Sequence, residues 1–131
     1  MDALVGRKLV KAERLGWCLA GKPDDLSAGP VHLVFEGGQG ILLDGQSDWS
    51  LKLMETYPED RTWLDAYDYD WEGARWLLRD ASSEPPFAAV MARHLVALEP
   101  TYNEVNEMTG LSLNFDGHPL TLKTREGEVV T

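Results

Sequence analysis

Residues 55–72 read E-T-Y-P-E-D-R-T-W-L-D-A-Y-D-Y-D-W-E and hold the densest set of side chains able to do chemistry. Seven carboxylates (Glu55, Glu59, Asp60, Asp65, Asp68, Asp70 and Glu72) face one base, Arg61, a net of −6 in a chain whose formal charge is −10. Tyr57, Trp63, Tyr67, Tyr69 and Trp71 are interleaved with them. Three chemistries suit such a stretch. It can be a connection whose rings cover the end of a sheet while its acids face water. It can be a recognition surface, because Tyr and Trp dominate binding hot spots and an acidic rim selects a basic partner. It can hold a cation, because Asp68-x-Asp70-x-Glu72-Gly73 imitates the opening of an EF-hand loop. The imitation fails at the twelfth position, where Arg79 replaces the bidentate carboxylate.

Elsewhere the catalytic inventory is thin. His32, His94 and His118 are scattered, and no H-x-E, H-x-x-x-H or C-x-x-C spacing supports zinc. There is no G-x-S-x-G, P-loop or dinucleotide fingerprint, so no cofactor is expected. Gly37-Gly38-Gln39-Gly40 joins strand to strand and lacks the helix N-terminus that would hold a phosphate. The paired carboxylates cluster in polar segments, where nothing raises one pKa above the other as glycosidase chemistry requires. Asn103, Glu104, Asn106 and Glu107 beside Tyr102 read as a solvated turn, with a small-ligand cleft as the alternative. Cys18, the one cysteine, cannot form an internal disulfide and reads as a small buried hydrophobe in a reducing compartment.

The elements that must position these residues are strands. In residues 110–123, Leu111, Leu113 and Phe115 alternate with Ser112, Asn114 and Asp116, Asp116-Gly117 supplies a tight turn, and Leu120 and Leu122 resume the alternation. Residues 31–43 echo it: a shift of 80 places Leu33 on Leu113, Phe35 on Phe115, Gly37 on Gly117, Leu42 on Leu122 and Glu36 on Asp116. A shift of 86 places residues 7–13 on residues 93–99. Two halves, about 4–54 and 87–130, thus read as lone strand, connector and hairpin, with 55–86 as the acidic aromatic connector. Residues 4–15 and 49–54 are predicted as further strands and 16–30 as an irregular connector. A short helix is predicted from Thr56 to about Ala66, where Thr56, Pro58 and Glu59 form a start signature. Residues 71–78 read as helix or strand, 87–99 as a long strand with helix as the alternative over 88–92, and Thr101 with Glu104 as a second capping box that opens one helical turn or, in the alternative, as a wide loop. The alternation puts His32 away from the buried face. At 131 residues the chain is expected to form a single domain. The fold class is mainly β, with α+β as the alternative: an antiparallel sheet, strongly bent or partly closed into a barrel, with one or two short helices.

The charge decides between partners. Twelve bases against twenty-two acids, with pI ≈ 4.6, disfavour nucleic acid and anionic membranes and favour a basic protein. The N-terminus has an acid where a signal peptide needs bases, and no run approaches the roughly 20 apolar residues of a membrane span, so a cytoplasmic protein is expected. In size, charge and lack of catalytic motifs the chain is similar to the small acidic immunity proteins of bacterial interbacterial-toxin systems. That similarity rests on no motif and carries over no site residues. The expected function is a non-enzymatic module that neutralises a basic toxin or enzyme by binding it. Trp63, Tyr67, Tyr69 and Trp71 would be its anchors, with Asp65, Asp68 and Asp70 steering. The alternative is a small-ligand-binding β domain, or an enzyme, with its pocket between the two halves. A structural or oligomer-forming role comes third.

Overall fold

A computed structural model describes residues 2–19, 22–23, 28–125 and 127–131. The chain is mainly β and antiparallel. Its strands are β1 (Leu9–Leu19), β2 (Lys22–Pro23), β3 (Val31–Phe35), β4 (Gly40–Gly45), β5 (Leu51–Thr56), β6 (Asp70–Trp71), β7 (Ala74–Asp80), β8 (Leu95–Tyr102), β9 (Met108–Phe115), β10 (His118–Arg125) and β11 (Glu128–Val130). The first sheet runs β5-β4-β3-β1-β7-β6, with β2 also on β1, and curls into a half-barrel; the second runs β11-β10-β9-β8. Among the described residues there are also three 3-10 turns, Asp2–Leu4, Thr62–Tyr67 and Phe87–Ala89.

The period of two sets the core. Leu33, Phe35, Ile41 and Leu43 from the first sheet meet Leu111, Leu113, Phe115, Leu120 and Leu122 from the second, all buried. The Phe35 and Phe115 rings stack with centroids 6.2 Å apart and planes 13° from parallel. Buried Arg14 donates from Nη2 to the Val129 carbonyl at 2.8 Å, tying the sheets together.

Each lone strand pairs with the hairpin behind it in one register. Leu9 opposes Phe35, Lys11 opposes Val34 and Ala12 opposes Leu33, with an irregularity after Leu9. Leu95 opposes Phe115, Ala97 opposes Asn114 and Leu98 opposes Leu113, with the irregularity at the same place. The two units join through matched bonds: Leu9 N to Arg93 O at 3.0 Å and Leu95 N to Arg7 O at 2.9 Å, about an antiparallel bridge between Lys8 and His94. Acids cap both sides alike, Glu36 Oε1 accepting from Lys8 N at 2.8 Å and Asp116 Oδ2 from His94 N at 3.0 Å. The return strands differ by one residue. Val31 opposes Leu43 whereas Leu111 opposes Leu122, so Leu43, not Leu42, holds the place of Leu122. The cause is the turn: residues 36–39 close the first hairpin, but Asp116-Gly117 alone closes the second, with φ of 53° and 90°. Both angles lie in the left-handed region that two-residue hairpin turns require.

Several local expectations are corrected. The strand expected over 4–15 starts at Leu9, because the Asp2–Leu4 turn buries Leu4 and Gly6 reverses the chain at φ 93°. It continues to Leu19, into the stretch expected to be irregular, because β7 pairs along its far half from Glu13↔Asp80 to Leu19↔Ala74. Of the rest of that expected connector, 22–23 form β2 and 20–21 and 24–27 lie outside the described residues. Thr56 ends β5 instead of capping a helix; the turn at Thr62–Tyr67 is started by Asp60, whose Oδ1 accepts from Thr62 N and Oγ1 at 3.0 and 2.6 Å. Glu72 and Gly73, at φ 52° and 87°, make residues 71–78 a turn and then a strand. Over 87–92 neither the strand nor a regular helix forms: Phe87–Ala89 is a 3-10 turn that buries Phe87 and Val90, and the strand begins only at Leu95. Of the two readings at 101–104 the loop is found and the capping box is not: Asn103 Oδ1 accepts from Val105 N and Glu107 N, closing the connection between β8 and β9.

Candidate functional site

The outer face of the half-barrel carries a second, smaller cluster, in which Leu15, Leu42 and Trp63 pack with Leu64, Tyr67, Trp76 and Leu78. The acidic connector produces it by folding back over β1, β3 and β4. Its 3-10 turn sets Trp63 down on His32, with ring centroids 4.4 Å apart. His32 does lie on the face opposite Val31 and Leu33, as alternation requires, but it is only 5% exposed.

Beneath Trp63 runs a closed hydrogen-bond chain. Arg61 forks onto Glu13, Nη1 to Oε1 at 3.0 Å and Nη2 to Oε2 at 3.2 Å, while its guanidinium carbon sits 5.3 Å from the Trp63 centroid. Lys11 Nζ lies 3.5 Å from Glu13 Oε2. His32 Nδ1 is 3.0 Å from Glu13 Oε1, and His32 Nε2 is 2.7 Å from Thr56 Oγ1. A carboxylate only accepts, so Nδ1 carries the proton, Nε2 accepts, and the Thr56 hydroxyl donates to it. Burial raises the Glu13 pKa, but the Arg61 and His32 hydrogen bonds and the Arg61 and Lys11 charges outweigh it and hold the carboxyl below its ordinary range. For His32 burial wins: it lowers the pKa against the pull of Glu13, and Arg61 and Lys11 add to the lowering. The imidazole is therefore neutral at pH 7.

Thr56–His32–Glu13 has the connectivity of a nucleophile, base and orienting acid. It lacks space for a substrate. Thr56 is 6% exposed, and the cavity beside it measures about 30 Å³, far below the several hundred Å³ of ligand pockets. Gly40 seals the chain from the other side: a Cβ there would stand 2.9 Å from Thr56 Oγ1 and 3.2 Å from His32 Nε2. The arrangement is a buried clasp that fastens the connector to the sheet.

Next to the clasp lies a groove of about 450 Å³. Trp63, Tyr67, Tyr69 and Trp76 line it from the connector and β7, Asp44 and Lys52 from β4 and β5, and residues 127–129 from the second unit. Its rings are fixed. Tyr67 Oη donates to Asp44 Oδ2 at 2.6 Å, and Trp76 Nε1 donates to Tyr69 Oη at 2.8 Å. Tyr67 meets Trp63 and Trp76 edge-on at 6.5 and 6.0 Å. Burial first, then the bond to Asp44, push the Tyr67 phenol far above its ordinary pKa, so it stays a neutral donor.

The residues expected to form the recognition surface divide between inside and outside. Trp63, expected as an anchor, is 8% exposed and covers His32; Tyr67 is half-buried as a groove wall. Tyr69 at 51% and Trp71 at 68% stand out, and Asp65, Asp68 and Asp70 are exposed around them. Asp70 Oδ1 accepts from Gly73 N at 2.9 Å and shapes the turn into β7. Sequence reasoning did not assign Glu13, His32, Thr56, Arg61, Asp44 or Trp76 to any site. Glu13 stands between Lys11-Ala12 and Arg14 in β1, where no local pattern sets it apart. Among the described residues no group of three or more His, Cys, Asp or Glu side chains converges as a metal site, and no helix is long and apolar enough to cross a membrane. No protein-family model, curated protein or solved structure matches the chain.

Proposed function

We propose that the protein acts by binding a basic protein partner through the acidic, ring-bearing face over residues 65–71, most specifically as an inhibitor or immunity-type protein that blocks a basic toxin or enzyme. The supporting observation is that Trp71 and Tyr69 project into solvent among Asp65, Asp68 and Asp70. Tyr and Trp are the side chains that dominate interface energies, and here two of them stand close together in sequence within an acidic rim. The carboxylates steer a cationic surface, and the rings hold it once water is excluded.

The test is capture of a basic partner followed by binding kinetics. Asp68→Lys with Asp70→Lys slows association, most at low salt, and Trp71→Ala speeds dissociation. If both variants capture the partner as the native chain does, the reading is wrong. A second reading, a small ligand seated between the two units, is favoured by the groove. A saturable rise in melting temperature with a metabolite, unaccompanied by any protein capture, would select it.

A further inference from the structure

The groove has the chemistry of a receptor for one flat cation. Its walls are ring faces and edges held by hydrogen bonds, so they present a fixed π surface to whatever enters. Asp44 lines the groove with one oxygen taken by Tyr67, and Glu128 lines it as well. The resident cation is Lys52, directly across the β4–β5 ladder from Asp44, and it makes no ion pair among the described residues. Trp63, also in the lining, has its indole Nε1–H buried with no hydrogen-bond partner.

We infer that the groove seats an arginine side chain of the basic partner, its guanidinium against the Tyr67, Tyr69 and Trp76 rings and facing Asp44. This rests on the partner-binding reading above and adds a specific seat to it. Arginine fits better than lysine: its plane stacks on rings, its fork matches a carboxylate, and it sheds water more readily. An anion fits worse, since Asp44, Glu128 and the overall charge of −10 all oppose it.

The test titrates the native chain with N-acetyl-arginine amide, followed by tryptophan fluorescence and by amide shifts at Asp44 and Trp76. Saturable binding is expected in the range typical of a single side chain, with N-acetyl-citrulline amide, the uncharged analogue, weaker by about tenfold or more. Asp44→Asn weakens the arginine probe by a similar factor. Lys52→Gln, which removes the competing cation, tightens it several-fold and keeps the test decisive if Asp44→Asn disturbs folding. Equal binding of citrulline and arginine, or weaker arginine binding in Lys52→Gln, overturns the inference. So does a groove that takes an uncharged metabolite and excludes the probe. Asp68→Lys with Asp70→Lys separates the two readings. Probe binding with partner capture indifferent to those changes leaves the seat standing and removes the belt. Sensitive capture without probe binding does the reverse.

Discussion

At one register position the two units carry the pairs Glu13↔His32 and Glu99↔Ser112. Strand, irregularity and pairing are the same, yet the environments are opposite. Glu13 and His32 are buried under Trp63 and tied to Arg61. Glu99 is exposed, and half-buried Ser112 reaches only Thr121 at 3.5 Å. β7 lies along β1, whereas β8 is a sheet edge, with Pro100 in it. Proline on an edge strand discourages further pairing. Backbone register alone therefore confers no special chemistry. Cover does, by removing water from one pair and leaving its equivalent wet.

Removing the cover should have the largest effect. Trp63→Ala exposes His32 and opens the small cluster, and is expected to cost about 3 kcal/mol in denaturant unfolding. Trp71→Ala, the same ring exposed in the same connector, should stay within about 0.5 kcal/mol. Equal losses would contradict the division between inner and outer rings.

Next comes the pair itself. Glu13→Ala leaves Arg61 and His32 without their acceptor and should cost about 2 kcal/mol, less than a wholly buried ion pair because Arg61 is half exposed. Glu99→Ala should shift stability by no more than about 0.5 kcal/mol. A loss at Glu99 matching that at Glu13 would mean the second unit hides a network of its own.

The smallest effect separates the units by pH. His32 sits below its ordinary 6.5 in the folded chain, so on acidification the unfolded chain takes up the proton first. Its contribution is whole above about pH 6.5 and is lost as pH falls toward the depressed folded value, by about 1.4 kcal/mol per unit of depression. Glu13, also depressed, adds a further loss below its ordinary 4.5. Unfolding at pH 7.5 and 5.5 should show the first loss in the native chain and a flatter response in His32→Gln. A native chain more stable at pH 5.5 would invert the assignment.

Alternation in residues 31–43 and 110–123, together with the Asp116-Gly117 turn, was enough to establish antiparallel β structure and to identify the inward side chains, because a strand's period of two follows from its own backbone. The acidic belt was equally plain as composition. What occupies the far side of a strand is not a local property. His32 reads as outward from its neighbours and is outward, yet it is buried because a tryptophan much later in the chain returns to lie on it. Trp63 and Trp71 have similar neighbours in sequence, and only the path of the connector between β5 and β7 puts one beneath the surface and the other above it. The clasp and the groove draw together β1, β3, β4, β5, β7 and the connector, and burial, pKa and pairing there arise from contacts that no single stretch contains.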